Sequence, residues 1–231
     1  MMDCASALDK ITAEIANANI SHQVTIEAVS KQQPQYKIQS LLEHGHRVFA
    51  ENKVQEAKQH WEHLRELYTD VKLHLIGALQ RNKVRQAVAL FDVIETIDSM
   101  KLAHETAIEA QKINKQQHIM LQVNIGAEAQ KSGVMLTDLH ELVDFCVNNQ
   151  WLELNGLMCI PPYYLAPEPY FAQMQTLQQQ FQLPHLSMGM SSDYMSAINF
   201  GATHVRLGTV LFGERNSPHD KTSSGERQND A

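Results

Sequence analysis

Short apolar, β-branched runs alternate along the chain with longer segments of helical periodicity. The first run is VTIEAV at 24–29, which leads into Ser30 and Lys31. The later runs are HRVFA (46–50), KLHLIG (72–77), FDVIET (91–96), HIMLQVNI (118–125), LELNGLM (152–158), HLSMG (185–189) and HVRLG (204–208). These eight runs have the length and composition of buried strands.

The intervening segments are predicted helices. A helix is expected to start at Pro34, and Ser99 and Thr137 are predicted N-caps of two later helices. The helix predicted over 51–68 has a stripe at the spacing of a core-facing side, made of Val54, Ala57, Trp61, Leu64 and Leu67.

Strands that alternate with helices at this spacing indicate parallel βαβ units, and eight units favour closure into a single (β/α)8 barrel. An open doubly wound sheet is the alternative, but the GxGxxG turn typical of it does not follow the first run. We expect one domain over 1–213 with an extra N-terminal helix at 3–19. The polar stretch 214–231 is predicted to be a disordered tail.

Composition narrows the function classes. The 231 residues carry a formal net charge of -7, with 43% hydrophobic and 19% charged residues. This balance fits a globular protein and argues against a general nucleic-acid binder or a polybasic membrane surface. The first twenty residues lack the pattern of a signal peptide, so a cytoplasmic location is expected.

Cysteine and histidine spacing predicts neither disulfides nor a metal site. Cys4, Cys146 and Cys159 are scattered, and Cys159 is expected in the core. His60 and His63 share one face of a predicted helix, but a solvated helix face is favoured over a metal site there.

Lys31 lies where the chemistry of a (β/α)8 barrel is placed, just after the C-terminal end of a strand. It is either a solvated loop lysine or an amine that forms a Schiff base, because apolar walls lower the pKa of a lysine and make it nucleophilic. Position alone leaves both interpretations open.

The loops after the seventh and eighth runs provide a partner for Lys31. SMGMSSD at 187–193 and VRLGT at 205–209 place small residues and backbone N–H groups where this fold holds phosphate. Ser191, Gly208 and Thr209 are the candidate phosphate ligands, although each loop taken alone could contain ordinary turn and cap residues. Together with Lys31 they favour a phosphate-bearing aldehyde, and pyridoxal 5'-phosphate (PLP) is the common cofactor of that description.

Seven motifs carry a family resemblance that extends from about residue 8 to 215. They are AVSK (28–31), ENKVQEA (51–57), HLIGALQRNK (74–83), LQVNI with KSG (121–133), GLM (156–158), SMGMSSD (187–193) and VRLGTVLFGER (205–215). In order and spacing they resemble the pyridoxal phosphate homeostasis proteins, the YggS/PROSC family.

The resemblance implies a barrel of the alanine racemase N-terminal type (PLP fold type III) that binds PLP without established turnover and acts in PLP supply, buffering or protection. It implies Lys31 as the Schiff-base lysine and Arg206 facing the pyridine nitrogen. Asn52 and His74 would line the ring pocket, and Lys131 would close over the site or assist exchange. The phosphate would be held by Ser191, Gly208 and Thr209.

Two segments depart from the family pattern, at positions 50, 53 and 81. The family usually has Gly-Glu-Asn-Tyr where this chain has Ala-Glu-Asn-Lys at 50–53, and a serine where this chain has Arg81. Because neither change touches the lysine or the phosphate loops, binding is expected to survive, and exchange rate and partner contacts are what the changes would affect.

Two other function classes stay open from sequence. One is an amino-acid racemase or related PLP enzyme with weak activity, and the other is an interaction module that uses PLP as a structural plug. PLP-dependent apoenzymes are candidate partners of a carrier, and a monomer is expected because the second domain that assembles racemase dimers has no counterpart here.

Overall fold

The computed structural model describes residues 3–214, and within them the chain forms a closed barrel of eight parallel strands. Each strand pairs with its sequence neighbours, and the last strand pairs with the first. The strands are β1 Thr25–Val29, β2 Val48–Glu51, β3 Lys72–Leu75, β4 Val93–Ile97, β5 Gln117–Val123, β6 Leu152–Cys159, β7 His185–Met190 and β8 His204–Leu207. The predicted (β/α)8 barrel is confirmed.

Helices follow the strands and cover the outside of the barrel. They are α1 Cys4–Asn17, α2 Gln35–Glu43, α3 Val54–Leu67, α4 Val84–Leu90, α5 Met100–Lys112, α6 Leu136–Val147, α7 Glu168–Gln180, α8 Tyr194–Asn199 and α9 Thr209–Phe212, with a 3-10 turn at Arg81–Lys83. The extra helix α1 packs on the side of the barrel against α2 and α9. No helix in residues 3–214 combines the length and apolar character needed to cross a membrane.

Local signals decide several helix boundaries. Pro34 is the N-cap of α2, and the Ser99 hydroxyl accepts a hydrogen bond from the Leu102 N–H at the start of α5. The N-cap prediction for Thr137 is wrong: α6 begins one residue earlier, and the Thr137 hydroxyl bonds the Asp138 carboxylate. Leu67 is also an exception, because the last turn of α3 leaves it 61% exposed.

The main apolar core lies between the strands and the helices. Strand side chains alternate in direction, so one set packs outward on the helices and the other points into the barrel. The outward set joins the buried helix faces, including Trp61 of α3 packed against Phe49 of β2 with ring centres 4.7 Å apart. Cys159 is fully buried, as predicted.

The inside of the barrel is unusually polar. Five charged or polar side chains from five strands lie there with 5% exposure or less: Glu27, His74, Glu95, Ser187 and Arg206. Buried charges of this kind must be paired or bonded to be tolerated, so the interior is where function is expected. We call the end of the barrel at the strand C-termini the mouth and the opposite end the base.

The predicted disordered tail, 214–231, lies almost wholly outside the described residues.

Candidate functional site

Lys31 lies at the mouth, two residues after the end of β1. The turn is closed by a hydrogen bond from the Gln33 N–H to the Ser30 carbonyl, and Gln32 takes a positive φ of 56°. Since Glu27 points into the barrel, alternation along β1 directs Val29 toward the same interior side, and the turn that follows places Lys31 at the mouth. The lysine is partly buried, as a nucleophilic amine at a barrel mouth would be.

A buried carboxylate anchors the turn that carries Lys31. Glu51, at the end of β2, accepts hydrogen bonds from Ser30 Oγ at 2.7 Å, His60 Nδ1 at 2.9 Å and Trp61 Nε1 at 3.2 Å. The hydrogen bond to Glu51 raises the pKa of His60, despite partial burial. These bonds tie the turn after β1 to both β2 and α3.

The two predicted phosphate loops are brought together by a direct contact. The Val210 N–H donates to Ser191 Oγ at 3.3 Å, which joins the loop after β7 to the start of α9. Among residues 3–214, the backbone N–H groups of Ser191, Ser192, Gly208 and Thr209 donate to no protein acceptor. Partly exposed donors clustered in this way are available to an anion.

Glycines shape these loops in two different ways. Gly189 has a positive φ of 92°, and an added Cβ would lie 2.6 Å from Ala197 Cβ, so both conformation and packing require glycine. At Gly208 an added Cβ would meet Val29 at an ordinary 3.7 Å, so the glycine leaves open a space that a side chain would fill. That space lies beside the strand that leads to Lys31.

Asn52 follows β2 at the mouth and has an unused acceptor. Its Oδ1 is buried and has no hydrogen-bond partner within the described chain. It borders a cavity of about 370 Å³ with Gly77 and Lys83, among others. Buried amide oxygens are normally bonded, so this one is a candidate contact for a bound molecule.

Arg206 lies deeper in the barrel and is held on two sides. Its guanidinium donates to Ser187 Oγ at 2.8 Å and to the Cys159 carbonyl at 2.8 Å, and the residue is 4% exposed. Ser187 in turn donates to Glu95 Oε2 at 2.6 Å. The guanidinium is therefore fixed in orientation below the phosphate loops.

His74 is separated from the other predicted cofactor ligands. Its Nδ1 lies 2.7 Å from Glu95 Oε1 and 3.2 Å from Glu27 Oε1. It borders a second cavity, of about 570 Å³, at the base. That cavity is also lined by Lys72, Asp92, Val93, Lys115, Gln116, His118, Met120, Glu153, Asn155, His185 and His204.

The charges around His74 are strongly coupled. Burial and the neighbouring Glu95 raise the pKa of Glu27, which favours a neutral carboxylic acid. Burial opposes the charged forms of His74 and Glu95 as well, but the partners prevail: Glu27 and then Glu95 raise the pKa of His74, and His74 lowers the pKa of Glu95.

The sequence prediction names two of the five interior groups, His74 and Arg206. It did not include Glu27, Glu95 or Ser187, which lie inside apolar runs and so resembled strand residues of no special role. An acid in the middle of an otherwise apolar strand, Glu27 in VTIEAV and Glu95 in FDVIET, was the signal available.

The two charged residues that depart from the family pattern have surroundings of their own in the structure. Arg81 pairs with Glu105 of α5, and Lys53 is exposed before α3. Lys131, in the loop after β5, pairs with Glu128 of the same loop at 2.6 Å.

Comparison with known proteins agrees with this architecture. Residues 7–216 match the family described as alanine racemase, N-terminal domain. Pyridoxal phosphate homeostasis proteins of Aquifex aeolicus and Escherichia coli K12 are 41% and 36% identical, covering 80% and 91% of this chain and 85% and 94% of theirs.

A solved structure gives the same result at the level of the fold. PipY of Synechococcus elongatus PCC7942, solved with PLP bound, superposes with a TM-score of 0.81 at 36% identity, covering 91% of this chain and 100% of PipY. The chain therefore belongs to the pyridoxal phosphate homeostasis protein family, which is built on the N-terminal barrel of alanine racemase.

Proposed function

We propose that this chain binds PLP at the mouth of the barrel and acts in PLP homeostasis as a carrier, buffer or regulator of the cofactor. The observation that carries the proposal is the cluster of available N–H groups at Ser191, Ser192, Gly208 and Thr209, where Gly208 borders Val29, two residues before Lys31. The PLP bound to PipY and the names of the relatives agree with it.

The residues at the mouth suit the three parts of this cofactor. The N–H groups and the Ser191 hydroxyl would hold the phosphate dianion, because charge-assisted bonds to an anion are stronger than neutral ones. PLP supplies an aldehyde carbon, and Lys31 supplies the amine that forms a Schiff base with it. Asn52 would contact the ring side of the pocket with its buried oxygen.

Arg206 would determine the protonation of the pyridine nitrogen. A guanidinium donates hydrogen bonds and does not give up its proton, so a nitrogen that it faces accepts a bond and stays unprotonated. An unprotonated ring is a weaker electron sink. That environment suits storage of the cofactor better than turnover, although alanine racemases share this arginine.

His74 has less support as a ring-pocket residue. Its contacts are with Glu27 and Glu95, and it lines the cavity at the base. Because Nδ1 is engaged by Glu95, a contact with PLP would have to come from Nε2.

A role without turnover is the other part of the proposal. The relatives at 36–41% identity are homeostasis proteins, whereas alanine racemase of Corynebacterium glutamicum shares 14% identity with a TM-score of 0.69, which shows the fold alone. The chain covers 62% of that racemase. A cytoplasmic location, monomeric state and apoenzyme partners remain predictions.

Transfer of PLP to an apoenzyme tests the carrier role. The PLP-loaded chain is mixed with a PLP-dependent apoenzyme, and reactivation is followed in parallel with loss of PLP from this chain. A carrier reactivates the apoenzyme, whereas a structural plug keeps its PLP throughout. Racemisation of an amino acid at a rate comparable with a true racemase would contradict the proposal and support the enzyme alternative.

A further inference from the structure

We propose that Glu27, His74 and Glu95 form a binding site for a divalent first-row transition-metal ion inside the barrel, near its base. This inference concerns residues other than those proposed for the phosphate and the amine, and it does not depend on the PLP proposal.

The first observation is convergence. Glu27, His74 and Glu95 lie on β1, β3 and β4, and each offers one ligand atom within 4.8 Å of the other two. His74 Nδ1 faces Glu95 Oε1 at 2.7 Å and Glu27 Oε1 at 3.2 Å. Metal ions of this class lie roughly 2.0–2.2 Å from their nitrogen and oxygen ligands. Small outward shifts of the three ligand atoms would make room for an ion at those distances.

The second observation is that Glu27 is only weakly satisfied. The residue is fully buried, and neither carboxyl oxygen makes a well-formed hydrogen bond within the described chain. Its contact with His74 Nδ1, 3.2 Å from Oε1, is shared with the shorter 2.7 Å contact that the same nitrogen makes with Glu95. A buried carboxyl without a bond is costly, and a cation between the two glutamates would satisfy both of them.

The side chains around the three proposed metal ligands orient Glu95 and leave its Oε1 available to an ion. Ser187 donates to Glu95 Oε2 at 2.6 Å, which leaves Oε1 directed at His74. Such bonds from outside the coordination sphere fix the direction of metal ligands. Arg206 reaches Glu95 through Ser187 and is kept out of the cluster by its bond to Cys159.

The cavity at the base supplies access and further ligands. His74 borders it, together with His185 and His204. The His204 ring lies 5.9 Å from that of His74, and the ring nitrogen Nδ1 of His204 contacts Thr203 Oγ1 at 2.9 Å, which leaves Nε2 for other partners. Water from the cavity or His204 could complete the coordination.

The ligand set selects the class of ion. Two carboxylates and an imidazole suit Zn²⁺, Mn²⁺ or Fe²⁺, whereas Ca²⁺ and Mg²⁺ favour oxygen ligands throughout. No spacing pattern in the sequence indicates this set of ligands, because the three residues lie on separate strands. The histidine pair it did consider is used otherwise: His60 bonds Glu51, and the exposed His63 pairs with Glu66.

Metal analysis of the full chain tests the proposal, with Zn²⁺ as the probe. The protein is stripped with a chelator, dialysed against micromolar free Zn²⁺ with excess Mg²⁺, and its bound zinc is measured. We expect one equivalent in the wild-type chain and in Lys31→Ala. The zinc affinity of Glu27→Leu should be lower by about tenfold or more, because the substitution removes one ligand.

Two further variants keep the result decisive. His63→Ala removes an exposed histidine and should leave the zinc content unchanged, which separates the interior site from surface sites. If Glu27→Leu fails to fold, Glu27→Gln keeps the shape of the side chain and should still lose the zinc. Equal zinc in the wild-type chain and the folded Glu27 variants, or no bound zinc in the wild-type chain, would overturn the proposal.

Discussion

At the scale of single residues, the inside of the barrel is organised as a chain of contacts that ends on Arg206. The guanidinium is bonded to Ser187 and to the Cys159 carbonyl, and Ser187 connects it to Glu95. A buried charge held on several sides is sensitive to loss of any one member, because the partner that remains is left buried without compensation.

Replacing Arg206 tests this arrangement. Arg206→Ala should lower the free energy of unfolding of the PLP-free chain by about 3–5 kcal/mol, because Ser187 and the Cys159 carbonyl lose a buried partner and Glu95 keeps only His74 as a nearby cation. It should also weaken PLP retention while leaving covalent capture by Lys31 in place. Urea unfolding and PLP dissociation are the measurements.

Arg81→Ala is the matched control for the arginine substitution. Its side chain is 54% exposed and pairs with Glu105 at the surface, where solvent screens the charges, so its removal should change the free energy of unfolding little. Equal losses in the two variants would mean that the interior contacts of Arg206 do not stabilise the fold.

The sequence predicted which residues lie on strands or directly after them better than it predicted which partners their side chains contact inside the barrel. The pattern put Lys31 just after a strand and Arg206 within one, and both statements are confirmed. It could not show that His74 points toward the base and bonds Glu95, since that partner lies on another strand. Pairings of this kind depend on register between strands, which a linear pattern does not contain.

At the scale of elements, the mouth depends on how loops and helices are tied to strand ends. Eight strands could be located because barrel strands are apolar on their outward face and bounded by turn residues. Their ends were less certain: β2 was predicted at 46–50 and lies at Val48–Glu51. Glu51 reads as a loop residue but is buried, because Ser30, His60 and Trp61 all bond it.

The contact between the two phosphate loops gives a prediction at this scale. Ser191→Ala removes the hydroxyl that accepts from the Val210 N–H, so PLP affinity should fall about 5- to 10-fold, as for loss of one hydrogen bond of about 1 kcal/mol. Ser192→Ala, which leaves that contact in place, should have a smaller effect. Equal affinities of both variants and the wild-type chain in a PLP titration would show that these loops do not hold the phosphate.

The tie between α3 and β2 should depend on pH. Because Glu51 raises the pKa of His60, the bond stabilises the fold fully below the unfolded histidine pKa of about 6.5 and is lost as pH rises through the folded value. His60→Gln should therefore lower the unfolding midpoint in urea more at about pH 6 than at about pH 9. His63→Gln changes an exposed pair with Glu66 and should show little difference at either pH.

At the scale of the whole molecule, stability and function are separated between two regions. Most of the buried apolar surface lies in the layer between strands and helices, and it stabilises the fold. The interior instead holds buried charged side chains, which lower stability but provide groups that can bind a ligand. The sequence could predict the first region from periodicity. The second consists of contacts between distant strands and required the folded chain.

Removal of the unsatisfied carboxyl tests this division. In the presence of a chelator, Glu27→Leu should raise the free energy of unfolding by about 1–3 kcal/mol, because an apolar side chain replaces a buried carboxyl that makes no well-formed hydrogen bond, while His74 keeps Glu95 as its charged partner. Ser30→Ala, which removes a bonded hydroxyl near the same strand, should lower stability instead. A destabilised Glu27→Leu chain would show that the glutamate contributes to the fold.

Binding of PLP at the mouth is tested most directly by the visible absorption spectrum of the chain with PLP, followed by borohydride reduction and peptide mapping. We expect a Schiff-base band that reduction removes, with the adduct on Lys31. The band should be absent in a folded Lys31→Ala chain and present in Lys53→Ala, which changes an exposed lysine at the mouth. An adduct spread over surface lysines, or an unchanged band in Lys31→Ala, would contradict the assignment of the mouth as the PLP site.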